Sequence, residues 1–159
     1  MSLLTIQYDE IFDTFLESVT DYHLASLEKS DAYKMMAGWL RKGITKSYVK
    51  RLFTTSTFDD ETQIFAFELK HPATDETDED QIDFVKGVAS KAMVIEWCEP
   101  KVNRTTNMVQ MFGGKEQKWF SESQHLAQLR ELLADTKAEL RHELGDRGVV
   151  INSYLGTST

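Results

Sequence analysis

One cysteine, two prolines and no long apolar run set the first limits on this chain. A lone Cys98 cannot form an internal disulfide or a multi-cysteine zinc site. Its neighbours Trp97 and Glu99 bring no positive charge to stabilise a thiolate, so it reads as a buried structural thiol. No segment approaches the ~20 apolar residues that cross a bilayer. The first residues, MSLLTIQYDEIFD, have neither the positive region nor the apolar core of a signal peptide. Positive charge is also short: 18 Lys and Arg stand against 26 Asp and Glu, for a net charge of -8. Non-specific nucleic-acid binding is driven by a positive field, so a free DNA- or RNA-binding protein is not expected.

What is present fits an ordinary globular domain. Hydrophobic residues make up 41% and charged residues 28% of 159, a composition typical of folded proteins. A chain of this size suits one domain and buries roughly 70% of its unfolded surface without staples.

Hydrophobic periodicity predicts a mainly α protein, a bundle of about four helices. In residues 8–28 the apolar positions Tyr8, Ile11, Phe12, Phe15, Leu16, Val19 and Tyr22 recur at helical spacing. A second helix, capped by Ser30 or Asp31, carries Tyr33, Met36, Leu40 and Ile44, and Gly38 and Gly43 weaken it by up to ~1 kcal/mol each. The third, from about Asp78 to Glu99, is apolar around more than one face and so is central, with Pro100 as its stop. A short helix, Asn107 to Phe112, ends at Gly113-Gly114. The last helix opens at Ser121, in a capping box with Gln124, and its seam of Leu126, Leu129, Leu133, Leu140 and Leu144 has Thr136 in one slot, with Gly145 as its stop. Trp97, Trp119, Phe120, Leu126 and Leu133 are expected in the core.

Two stretches depart from helical spacing. Residues 48–69 are rich in β-branched and aromatic types around Phe58-Asp59-Asp60-Glu61, and read as a β-hairpin or extended arm. A helix continuing to about Leu52 and then a long loop is the alternative. Past residue 145 the chain becomes an apolar, β-prone tail, so its organisation is a helical domain over 1–145 with an inserted arm and an extended tail over 146–159. Such a tail should not hang in water. It folds back or adds to a neighbour's sheet edge.

Nothing in the spacing carries catalysis. His23, His71, His125 and His142 include no H-x-x-x-H pair. Gly113-Gly114-Lys115 is followed by Glu116, not the Ser or Thr of a phosphate loop, and five carboxylates in Asp75 to Asp80 lack the glycine and distal Glu of a calcium loop. No catalytic, metal or cofactor-binding residue is assigned, no cofactor is expected, and an enzyme is not expected.

One pattern is more specific. A helix ending in MVIEW-x-x-P (Met93 to Pro100) is followed by Asn103, Asn107 to Phe112, Gly113-x-Lys115 and KWFSESQHLAQLREL (Lys118 to Leu132), with an acidic turn Asp59-Asp60-Glu61 upstream. Over residues 59–140 this resembles small virion proteins of tailed phages of Gram-positive hosts. The resemblance implies a head–tail connector, an adaptor of the neck: a small helical bundle forming a homo-oligomeric ring, a dodecamer, below the portal protein. It implies a second partner among the neck or tail proteins, location in the virion after assembly in the host cytoplasm, and passage of DNA without specific binding. Partner contacts are then expected from Val149, Val150, Ile151, Tyr154 and Leu155 of the tail, and from Phe53, Phe58 and Phe65 if the hairpin projects. A tail or baseplate assembly protein is the runner-up in the same class. A soluble acidic regulatory module is the alternative from another class.

Overall fold

The computed structural model describes residues 3–112 and 117–147, with backbone alone for 105, 107–112 and 117–123. The chain is mainly helical with a small antiparallel sheet. Among the described residues the order is β1 (Leu4–Gln7), α1 (Tyr8–Ser18), α2 (Tyr22–Ser26), α3 (Lys29–Thr45), α4 (Ser47–Lys50), β2 (Phe53–Asp59), β3 (Ile64–Leu69), α5 (Asp78–Phe112) and α6 (Gln117–Asp146). The tail residues Val149, Val150, Ile151, Tyr154 and Leu155 lie outside the described residues.

The sheet order is β1-β3-β2, all antiparallel. Side chains alternate between faces along a strand, and here one face is apolar. Ile6, Phe53, Phe65, Phe67 and Leu69 are buried, with Phe53 edge-on to Phe65 and Phe67 at centroid distances of 5.8 and 5.9 Å. The other face carries Thr5, Gln7, Thr55, Thr57 and Asp59 into solvent. β1 was not anticipated, because a four-residue strand is too short to show a period. It exists because β3 offers it a partner, Ile6 opposite Phe65.

The expected helix over 8–28 is two helices. α1 buries Tyr8, Ile11, Phe12 and Phe15 at helical spacing and ends where Val19 turns extended. The Asp21 carboxylate then accepts the Leu24 N–H at 3.0 Å and caps α2. Leu16 and Tyr22, expected in the apolar stripe, are instead 44% and 85% exposed.

α5 starts where expected. Thr77 and Asp80 exchange side-chain to backbone hydrogen bonds of 3.2 and 3.1 Å, a reciprocal cap. It does not stop at Pro100, which lies inside the helix. An internal proline costs ~3 kcal/mol. Burial of Trp97, Cys98 and Val102 on either side of it outweighs that cost, since each large apolar side chain gains ~1.5–3 kcal/mol. The separate short helix at Asn107 to Phe112 is the end of α5. α6 begins at Gln117, so Ser121 is internal and not a cap, and it runs past Gly145 to Asp146.

The two long helices pack on each other along the expected seam. Leu126, Leu129, Leu140 and Leu144 are buried, and so is Thr136, while Leu133 is half-buried. The Cys98 thiol lies within this contact and donates to the Leu129 carbonyl. On its other side α5 meets α3 at close range. A Cβ built on Gly43 would lie 2.7 Å from Ala92 Cβ, so glycine at 43 is what lets the helices approach.

Candidate functional site

The hairpin exists over 53–69, but its aromatic residues do not project. Phe53 and Phe65 are buried in the core, and Phe58 is half-buried beneath the Arg41 guanidinium, 5.1 Å from its ring centroid. The physical reason is the alternation along the strands, with the register irregularity between Phe53 and Thr55 bringing Phe53 onto the same inner face as Phe58 and Phe65. As partner-binding residues of a projecting arm, Phe53 and Phe65 are therefore corrected to core residues.

The turn of that hairpin builds a polar clasp that sequence spacing could not foretell. With no glycine in the turn, the left-handed residue is Gln63, at φ 56°. The Asp59 carboxylate accepts the N–H groups of Thr62 and Glu61 at 3.2 and 3.0 Å, and the bonding from Thr62 above all holds it below the usual carboxylate range. The Gln63 carbonyl accepts the Tyr8 N–H at 2.8 Å and ties the turn to the first residue of α1. Asp60 then receives two side chains: the Tyr8 hydroxyl at 2.8 Å and the Arg41 guanidinium at 2.7 Å. Burial first, and the adjacent Asp60 carboxylate second, push the Tyr8 phenol far up, so it stays protonated and donating.

This clasp floors a cleft of about 820 Å³ between α1, α3 and the hairpin turn. Lys29, Lys34 and Arg41 line it with Asp9, Tyr33 and Asp60. Lys29 lies over the Tyr33 ring at 5.3 Å. The arrangement is a fixed network of donors on an already occupied carboxylate. It offers recognition of polar groups.

A second groove, about 610 Å³, runs between α4, α5 and α6. Its rim carries Lys46, Arg51, Lys137 and Arg141 against Glu96 and Glu99, a local positive surface on an acidic chain. Lys137 pairs with Glu99 at 2.7 Å and Lys46 with Glu96 at 3.4 Å. The Glu96 contact is an ion pair without a hydrogen bond, since its buried Oε1 has no hydrogen-bond partner.

Elsewhere the titratable groups serve the fold. Burial pushes the Asp21 carboxyl up, but the Trp97 Nε1–H at 2.8 Å, the Leu24 N–H and Lys101 together outweigh it and hold the group below its ordinary value. Burial raises the Cys98 thiol, so it is not a thiolate. The Arg147 guanidinium holds Glu76 below its ordinary value and stacks on Phe84 at 4.0 Å. Among the described residues no group of three or more His, Cys, Asp or Glu is placed to hold a metal ion, and no helix is long and apolar enough to cross a membrane.

No protein-family model, curated protein or solved structure matches this chain.

Proposed function

We propose that the chain is a non-enzymatic structural protein of a tailed-phage particle, a head–tail connector that forms a homo-oligomeric ring below the portal and joins it to the next neck or tail component. What supports this is where the resembling residues fall in the fold. MVIEW occupies the most buried stretch of α5, and the leucines from Leu126 to Leu140 lay α6 along it. The acidic turn 59–61 clasps α1 and α3. Among the described residues that pattern is therefore a frame of packing positions, as a protein that works by contact requires.

Charge suits the same role. At -8 the chain repels a polyanion, and an acidic ring would let DNA pass without holding it. The positive groove between α4, α5 and α6 is the local exception and offers an acidic neighbour a place to sit.

The experiment is mass spectrometry and cryo-electron microscopy of the particle encoded with this chain. The expected result is a symmetric ring of it directly beneath the portal. Density at the distal tail would assign it to the tail or baseplate. Absence from purified particles would overturn the structural role and favour the regulatory module.

A further inference from the structure

A strand at the edge of a sheet presents unpaired backbone N–H and C=O groups, and natural sheets guard such edges with lysine, proline, short length or cover. The two edges of this sheet are guarded unequally. β1 is four residues long and runs straight into α1. β2 is seven, and its run Thr54-Thr55-Ser56-Thr57-Phe58 has no charge and no proline. The irregularity between Phe53 and Thr55 guards only its first end. Among the described residues no backbone group lies across the outer edge of β2.

The faces of that edge also differ. On the inner face Phe65 and Phe67 of β3 are fully buried, whereas Ser56 and Phe58 of β2 are only half-buried. The apolar layer is thus incomplete at the edge. On the outer face Thr55 and Thr57 are exposed. A complementary strand would be uncharged, about seven residues long, apolar on one side and mixed on the other. Outside its strands and helices the sequence contains such a stretch at Val149 to Leu155, VVINSYL; the other long uncharged run, Thr105 to Phe112, belongs to α5. Alternate positions give Val149, Ile151 and Leu155 on one side, broken only by Ser153, and Val150, Asn152 and Tyr154 on the other.

We propose that residues 149–155 of one copy add to β2 of a second copy as the fourth strand of its sheet. The backbone edge supplies affinity, and the half-covered Phe58 selects the apolar side of the incoming strand. Donor and acceptor are different surfaces, so the contact is head-to-tail, the kind that closes into rings. The choice of a second copy over the same chain rests on the ring proposed above. The donor segment also follows directly on a fixed point: Arg147 is held by Glu76, and only Gly148 separates it from Val149.

The test uses the purified full-length chain and needs no particle, so it fails independently of the neck assignment. Sedimentation equilibrium and amide hydrogen exchange over residues 53–59 are measured across concentration. The wild type should associate, and exchange in β2 should slow by about tenfold or more as it does so. Ile151→Pro, which blocks the donor strand, should be monomeric with fast exchange in β2. Of Ser56→Pro and Thr57→Pro, one removes an outward N–H and leaves the ladder intact; that folded variant should also be monomeric. An equimolar mixture of the blocked donor and the blocked acceptor should yield a one-to-one dimer, because each still carries what the other lacks. A wild type that is monomeric throughout overturns the proposal, whether β2 is unprotected or is protected by its own tail. Association that survives Ile151→Pro overturns it equally.

Discussion

The two halves of α5 lie in different surroundings. From Asp78 to Trp97 the helix meets α1 through Lys86 and Glu10, α3 through Ala92 and Gly43, and α6 through Lys91 and Glu143, and Val85, Val88, Ala89, Ala92, Met93, Val94 and Ile95 are all buried. Among the described residues, its hydrogen bonds and ion pairs to elements other than α6 end at Lys101, which meets Asp21 at 3.5 Å. Beyond that point Asn103 and Arg104 are exposed, and Thr106 meets Arg130 of α6. At 1.5 Å per residue the whole helix spans about 52 Å. One helix is thus the axis of the core as far as Val102, and at Asn103 to Thr106 it has exposed residues and a contact to α6. Stability should follow the same division, with slow amide exchange up to Trp97 and Cys98 and faster exchange from Asn103 onward.

The largest break in that comparison is where Trp97 meets Asp21. Trp97→Ala removes a buried aromatic and strips the Asp21 carboxylate of its indole donor. It should cost ~3–5 kcal/mol, as for other buried aromatic residues, read from the urea midpoint. A loss below ~1 kcal/mol would mean that the first half of α5 holds without its boundary.

Gly43→Ala tests the core half. Helix propensity favours alanine by up to ~1 kcal/mol, yet the new Cβ would stand 2.7 Å from Ala92 Cβ and 3.0 Å from its backbone carbon. Neither is the far end of a flexible side chain, so α3 and α5 must part. Overpacking costs ~1–3 kcal/mol and should win, for a net loss. A variant as stable as the parent would show that the two helices are not held at this distance.

How much of this could be read from the sequence depends on how local the cause is. The helical spacing of Ile11, Phe12 and Phe15, the all-round apolar character of 82–97 and the leucine seam of α6 are local, and each appears in the fold. Pro100 misled because its local cost was read without the burial of Trp97, Cys98 and Val102 around it. Gly43 read as a weakness because its partner, Ala92, is 49 residues away in the chain (92 − 43). The clasp of Tyr8, Arg41 and Asp60 joins three elements with no common spacing, so only its acidic turn was visible. The tail residues assigned to partners lie outside the described residues, and the open edge of β2 could be recognised only once the sheet order was known.

Acid should bring a smaller change. Asp21 and Glu76 are both held below their ordinary values of 3.8 and 4.5. A depressed carboxyl in the folded state means that the unfolded chain binds the proton more readily. The stability it gives is present above the ordinary value and is lost as pH falls through the lower, folded one. Urea midpoints should therefore fall below about pH 4.5, first by way of Glu76 and then Asp21. In Asp21→Asn the lower part of that decline should flatten. A decline unchanged by Asp21→Asn would place the acid-sensitive carboxylates elsewhere.

The smallest effect is expected in the outer half. Arg130→Ala removes an exposed hydrogen bond of 3.1 Å to the Thr106 hydroxyl. Surface changes of this kind stay within ±0.5 kcal/mol, so the urea midpoint should hardly move. Local opening is a different quantity from global unfolding, and it is set by the contacts that must break to expose a given amide. Where α5 has left the core, a single cross-link to α6 is a larger share of those contacts. Exchange at Asn103 to Thr106 should therefore quicken while exchange at Val85 to Met93 stays as it was. Equal change in both stretches would mean that α5 opens as one unit, and that its two halves differ in surroundings but not in stability.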